Sequence, residues 1–106
     1  MDAEQLAEMT SKVTGWDVTV EELLEVGKRR LNMLQVFNAR EGFTRADDIL
    51  PKKLYQPLKG GASDGVHLTE QELETAKDIY YEMAGWDVES GTPTAELLAE
   101  LGLDWI

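Results

Sequence analysis

Cysteine is absent from all 106 residues. The chain itself therefore offers no disulfide, no thiolate nucleophile and no cysteine ligand for zinc or an iron–sulfur cluster. That lack fits a cytoplasmic protein. Histidine occurs once, at His67. The close candidate partner is Asp64, on a glycine-rich loop, a setting more typical of a solvated side chain than of a general base. Basic residues number 10 against 21 acidic ones, for a net charge of −11. This argues against binding nucleic acid or an anionic membrane, both of which require a basic footprint. No apolar run approaches the length of a membrane-spanning helix, and no basic-then-apolar leader is visible.

What charge there is of the rarer sign is concentrated. Residues 28–59 hold eight cations (Lys28, Arg29, Arg30, Arg40, Arg45, Lys52, Lys53 and Lys59) against Glu41, Asp47 and Asp48, a local +5 in a chain whose remainder carries −16. The simpler expectation is a basic centre packed among acidic helices; the sharper one is a face that docks an acidic partner.

The length allows a single domain, residues 1–106, with a small core. The periodicity is helical throughout and the class is all-α: four main helices, irregular orthogonal-type packing and a long central loop. Asp2 caps a first helix over about Ala3 to Val13, with Leu6, Met9 and Val13 on one face and Gly15 as its stop. Thr19 and Glu22 form a capping box for a second. Its stripe of Val20, Leu23, Leu24, Leu31, Leu34 and Phe37 is widened by Val26, Met33 and Val36, and Gly42 is its stop. Asp47 or Asp48 caps a short turn, Asp48-Ile49-Leu50, before Pro51. Residues 52–66 read as irregular, with a flexible tip at Lys59–Gly65. A third helix runs from the Thr69–Glu72 capping box to Gly85. A fourth opens at Thr92-Pro93, turns Leu97, Leu98 and Leu101 inward and ends at Gly102. Gly15-Trp16-Asp17-Val18 and Gly85-Trp86-Asp87-Val88 are an internal echo, each a helix stop followed by a tryptophan anchor.

Catalytic chemistry is sparse in this pattern. Glu74, Asp78 and Glu82 sit four residues apart on one solvated helix face, and no Glu-x-x-His accompanies them as bundle di-metal sites require. Gly60, Gly61 and Gly65 lack the preceding strand and the Gly-Lys-Ser/Thr ending of a phosphate loop. Tyr80, Tyr81 and the three tryptophans are expected as core and turn anchors. Asn38 and Arg40 are expected to satisfy backbone carbonyls at the second helix's end.

One ordered series of segments is more informative. Lys28-Arg29-Arg30-Leu31, Phe37-Asn38-Ala39-Arg40-Glu41-Gly42, Arg45 through Pro51, Tyr80-Tyr81, Gly85-Trp86-Asp87, Gly91-Thr92-Pro93-Thr94 and Leu98 through Leu103 together resemble the C-terminal region of aldehyde ferredoxin oxidoreductases, the tungsten-pterin enzymes. The resemblance runs from about Thr14 to the end. It implies a C-terminal helical domain of an enzyme that oxidises aldehydes to carboxylic acids at a tungsten bis-pterin centre. Electrons would leave through a [4Fe-4S] cluster to ferredoxin. The cluster cysteines, the pterin-binding N-terminal domain and the Asp-x-x-Gly-Leu-Cys-type motifs have no counterpart here. No catalytic, metal-binding or cofactor-binding residue therefore carries over, and the chain is expected to be inactive alone. Its partners would be the cofactor domains of the parent enzyme, with ferredoxin serving the whole. What carries over is structural: Phe37, Asn38, Arg40, Gly42, Asp48, Pro51, Gly85 and Trp86. The 52–66 loop would lie on the cleft side. This origin predicts that the wide stripe on the second helix is only partly covered. The alternative, a stand-alone helical interaction module without enzymatic activity, predicts a closed core.

Overall fold

The computed structural model describes residues 1–106 and is all-α. The chain forms helices α1 (Ala3–Thr14), α2 (Val20–Arg40), α3 (Glu70–Ala84) and α4 (Ala95–Glu100), with two short 3-10 turns, Arg45–Asp47 and Lys52–Tyr55, in the connection between α2 and α3. No helix is long and apolar enough to cross a membrane.

Local signals set most boundaries. The Asp2 carboxylate accepts from the Gln5 N–H and Gln5 reaches back to Asp2, a reciprocal cap. Thr69 and Glu72 do the same for α3. At α2 only half of the expected box forms: Thr19 accepts from the Glu22 N–H, but Glu22 does not return the bond. The turn expected at Asp48-Ile49-Leu50 lies three residues earlier. Thr44 caps Arg45–Asp47 through a reciprocal pair with Asp47, which leaves Asp48 free to face α3. Likewise α4 starts from Thr94, because Pro93 is held in an antiparallel bridge with Trp86.

The ends of α2 and α3 are closed by the backbone. Phe43 N–H bonds the Asn38 carbonyl and Gly42 N–H the Ala39 carbonyl, so the Asn38 and Arg40 side chains are not needed there and point to solvent. At α3, Gly85 takes φ +78 and passes the chain to Trp86, whose N–H returns to the Tyr81 carbonyl at 2.8 Å. That wrap lays the Trp86 ring against Tyr81, centroids 5.8 Å apart. The echo at Gly15-Trp16 produces no such contact: Trp16 is exposed, and so is Trp105, contrary to their expected role as anchors.

Two small cores result. Leu97, Leu101 and Leu103 form one, with Trp86, Leu98 and Ile106 packed on it. Ala7 lies buried where α1 meets α2, and Ser11 Oγ clamps the Val18 backbone through both its N–H and its carbonyl. The C-terminal unit is tied to α2 at two points: Trp86 Nε1 donates to Asn32 Oδ1 at 2.9 Å, and Gln35 Nε2 to the Gly91 carbonyl at 2.7 Å.

The molecule is open. Its accessible surface is 8187 Å², where a compact monomer of its mass exposes about 6,000 Å². Its radius of gyration is 18.3 Å, against about 13 Å for a compact chain of this length. Leu24, Val26, Leu31, Met33, Leu34 and Phe37 on α2 are all exposed, so the wide stripe is only partly covered.

Gly91 tests how tightly the loop is fitted. It has φ +72, and a Cβ there would lie 3.1 Å from the Tyr81 ring. Gly102 has a similar φ of +67 but open space around it. Gly91→Ala is expected to cost about 1–3 kcal/mol by combining left-handed strain with overpacking. Gly102→Ala incurs the backbone strain alone. Urea denaturation of the two variants reads the difference.

Candidate functional site

The most structured cluster lies where the Thr44–Leu50 segment crosses α3. Arg45 begins the first 3-10 turn, and its guanidinium reaches both α3 and the loop that follows it. Nη1 donates to Asp78 Oδ1 at 2.5 Å and to the Val88 carbonyl at 2.7 Å. Nη2 donates to Glu74 Oε2 at 2.9 Å and to the Glu74 carbonyl at 3.0 Å. The Arg45 N–H completes the tie by donating to the Ser90 carbonyl. Its guanidinium carbon also stands 5.4 Å from the Tyr81 ring centre, a cation–π geometry.

Lys77 was not singled out by sequence, yet it is one of only two buried polar residues. Its ammonium donates to the Asp48 carbonyl at 3.1 Å and the Arg45 carbonyl at 3.3 Å, and pairs with Glu74 at 2.8 Å. Three acceptors match the three N–H bonds of an ammonium, which satisfies the buried charge. Tyr81 completes the group by donating its hydroxyl to the Asp48 carboxylate.

The titration behaviour follows from this geometry. Hydrogen bonds to Asp78 and then Glu74 raise the Arg45 pKa. Lys77 and then Arg45 lower that of Glu74. Burial, then the hydrogen bond to Asp48, raises that of Tyr81. Asp87 is lowered by the Ser90 N–H and hydroxyl, which close the loop that seats Gly91 on Tyr81. A lowered carboxylate pKa contributes stability above its unfolded pKa, and that contribution is lost as the pH falls through the folded value. The urea midpoint is therefore expected to hold from neutrality to about pH 5 and to fall below about pH 4. Glu74→Gln or Asp87→Asn should flatten that acid limb. Tyr81 acts with the opposite sign: its contribution is intact below about pH 10 and is lost as the pH climbs further.

Beside the cluster is an open cavity of about 540 Å³, lined by Gln35, Asp48, Leu50, Leu73, Tyr80 and Trp86 among others. Its size falls in the range of small-molecule pockets. The polar groups on its wall are committed elsewhere: Gln35 to Gly91, Lys77 to its three acceptors, Tyr81 to Asp48. The arrangement locks a loop onto a helix. No three His, Asp or Glu side chains converge closely enough to hold a metal ion, so the donor set does not fit a metal centre or cluster in this chain.

Of the eight residues expected to carry family structure, the fold gathers three around Tyr81 and Leu97: Asp48, Gly85 and Trp86. Pro51 precedes the second 3-10 turn, and Phe37, Asn38, Arg40 and Gly42 sit apart at the α2 end, exposed. Of the eight cations at 28–59, only Arg45 enters an ion pair, so the expected internal packing of the basic centre does not occur. Glu74 and Asp78, expected on a plain solvated face, are the carboxylates that hold it. His67 is exposed, with Nδ1 near the Gly65 carbonyl.

Comparison with known proteins bears on the whole chain. The family model described as aldehyde ferredoxin oxidoreductase, domains 2 and 3, matches residues 1–103. The tungsten-containing aldehyde ferredoxin oxidoreductase of Pyrococcus furiosus is 33% identical over 105 residues, which is 97% of this chain and 17% of that protein. A second Pyrococcus furiosus protein, the aliphatic sulfonate oxidoreductase, WOR-like subunit, is 30% identical over 106 residues, 94% of this chain and 17% of its own length. Among solved structures, the active site complex BamBC of benzoyl coenzyme A reductase with 1,5-dienoyl-CoA superposes with a TM-score of 0.77 at 25% identity, covering 99% of this chain and 14% of that one. The chain thus spans about a sixth of the relatives it matches.

Proposed function

The chain belongs to the aldehyde ferredoxin oxidoreductase family, and from that premise we propose that it is the C-terminal helical part of a larger tungsten-pterin aldehyde:ferredoxin oxidoreductase. That enzyme converts aldehydes to carboxylic acids in the cytoplasm, passing electrons through a [4Fe-4S] cluster to ferredoxin. Tungsten, pterin and cluster are held by the rest of the polypeptide. The redox chemistry is theirs, and no step of it runs through residues 1–106, which are inactive alone.

The observation that carries this reading is the open fold. Some 2,200 Å² of accessible surface beyond that of a compact monomer is the per-partner scale of an obligate interface, about 1,000–2,500 Å². A stand-alone module would close its core over the α2 stripe, and this one does not. The similar identity to relatives named for an aldehyde and for an aliphatic sulfonate also fits a supporting part rather than the substrate-selecting one. In this role the Arg45–Lys77–Tyr81 lock fixes the Arg45–Asp48 segment and the Trp86–Gly91 loop against α3, and the 52–66 loop faces the cleft.

The test is an assay at two lengths. The natural polypeptide is expected to contain tungsten and to reduce ferredoxin or a viologen dye with an aldehyde as donor. The 106-residue chain is expected to do neither. Aldehyde oxidation by the 106-residue chain, or a natural polypeptide without tungsten, would contradict the proposal.

A further inference from the structure

Arg30 has an unusual setting. On a helix its neighbours are the residues three and four positions away: Val26, Gly27, Met33 and Leu34, with Phe37 one further turn along. All five are apolar or lack a side chain, and Val26, Met33, Leu34 and Phe37 are exposed. Arg30 is exposed as well and enters no ion pair or side-chain hydrogen bond, although the chain carries a charge of −11. A cation at the centre of an exposed apolar face is harmless in water. Under a covering surface it becomes costly unless that surface supplies a carboxylate.

We propose that this face of α2 is an interface in the assembled oxidoreductase, and that the covering segment of the parent polypeptide is apolar and presents a carboxylate to Arg30. The inference deepens the reading of the chain as part of a larger enzyme and rests on it. The occupant follows from the exposed apolar side chains that surround Arg30, from the surface that the chain as a whole leaves open beyond that of a compact monomer, and from the length of the relatives, of which this chain is 17%. The carboxylate follows from the isolated guanidinium. Arginine favours bidentate pairing with a planar acid over any neutral partner.

The experiment compares Arg30→Glu and Arg30→Met in the natural-length polypeptide and in the 106-residue chain, read by thermal unfolding. In the short chain both substitutions are expected to move Tm by less than about 2 °C, as at an ordinary surface site. In the natural-length protein Arg30→Glu is expected to lower Tm by more than about 5 °C. Arg30→Met, which keeps the apolar contact but strands the carboxylate, should fall between. Equal shifts at both lengths, or none at either, would overturn the proposal. So would a dimer of the 106-residue chain that Arg30→Glu dissociates, since it would put a second copy on this face. If the natural polypeptide is itself 106 residues long, the parent-enzyme reading fails first and takes this one with it. A longer polypeptide indifferent to Arg30→Glu removes only this one.

Discussion

Tyr81→Ala is expected to cost about 3–5 kcal/mol, the range for deleting a buried aromatic ring. Tyr81 is 2% exposed. It is packed between the Trp86 ring, the Arg45 guanidinium and the Gly91 backbone, and its hydroxyl holds Asp48. Alanine empties the point where α3, the Arg45–Asp48 segment and the Asp87–Gly91 loop meet. Small domains have only about 5–15 kcal/mol in total, and one with two minor cores lies at the low end. Tyr81→Ala should therefore leave the isolated chain largely unfolded at 25 °C by circular dichroism. Tyr81→Phe keeps the ring and removes only the hydroxyl. Because Asp48 is otherwise exposed to water, that change should cost about 1 kcal/mol. A Phe variant as damaged as the Ala variant would mean that the hydroxyl–carboxylate bond, and not packing, holds the junction.

Leu103→Ala is the second large effect, at about 2–5 kcal/mol. Leu103 is the one fully buried large side chain, and it packs with Leu97 and Leu101. Its N–H also returns to the Leu98 carbonyl at 2.7 Å, so the backbone already fixes its position and cannot slide to fill a void. Loss of Leu103 should detach α4 from Trp86 and raise the emission of that tryptophan toward the solvent-exposed wavelength. Trp16 and Trp105 are already exposed, so a Trp16→Phe, Trp105→Phe background isolates the signal. A variant within 1 kcal/mol of the parent would show that this cluster is not the core of the C-terminal unit.

The helices were legible because their signals are local. Asp2, Thr19, Thr69, Gly85 and Gly102 act through bonds that span three to five residues, and the 3.6-residue period needs no knowledge of partners. The Arg45–Lys77–Tyr81 lock was not legible, since all of its bonds but the Lys77–Glu74 pair join residues 29 to 45 positions apart. Glu74 and Asp78 have the spacing of a solvated face and do stay exposed; it is Arg45, from a distant segment, that comes to pair with them. One signal was available: Lys77 is the single cation of α3, flanked there by Glu70, Glu72, Glu74, Asp78 and Glu82. The two Gly-Trp-Asp-Val segments show the limit of pattern. Both stop a helix, but only Trp86 finds Asn32 and Tyr81 beside it. The lone turn before Pro51 forms three residues earlier than the Asp47-Asp48 pattern predicts, because Thr44 supplies the cap and uses Asp47 as its reciprocal partner.

The openness of the fold gives the clearest link between structure and function. An exposed stripe on α2, a radius of gyration well above the compact value and relatives about six times this length are the observations that support the proposal of a larger enzyme. The most direct measurement is the size of the natural product, by blotting an extract of the source organism with an antibody raised against residues 1–106. The account predicts a band several times larger than 11.9 kDa. A single band at 11.9 kDa would contradict it and identify a stand-alone helical protein.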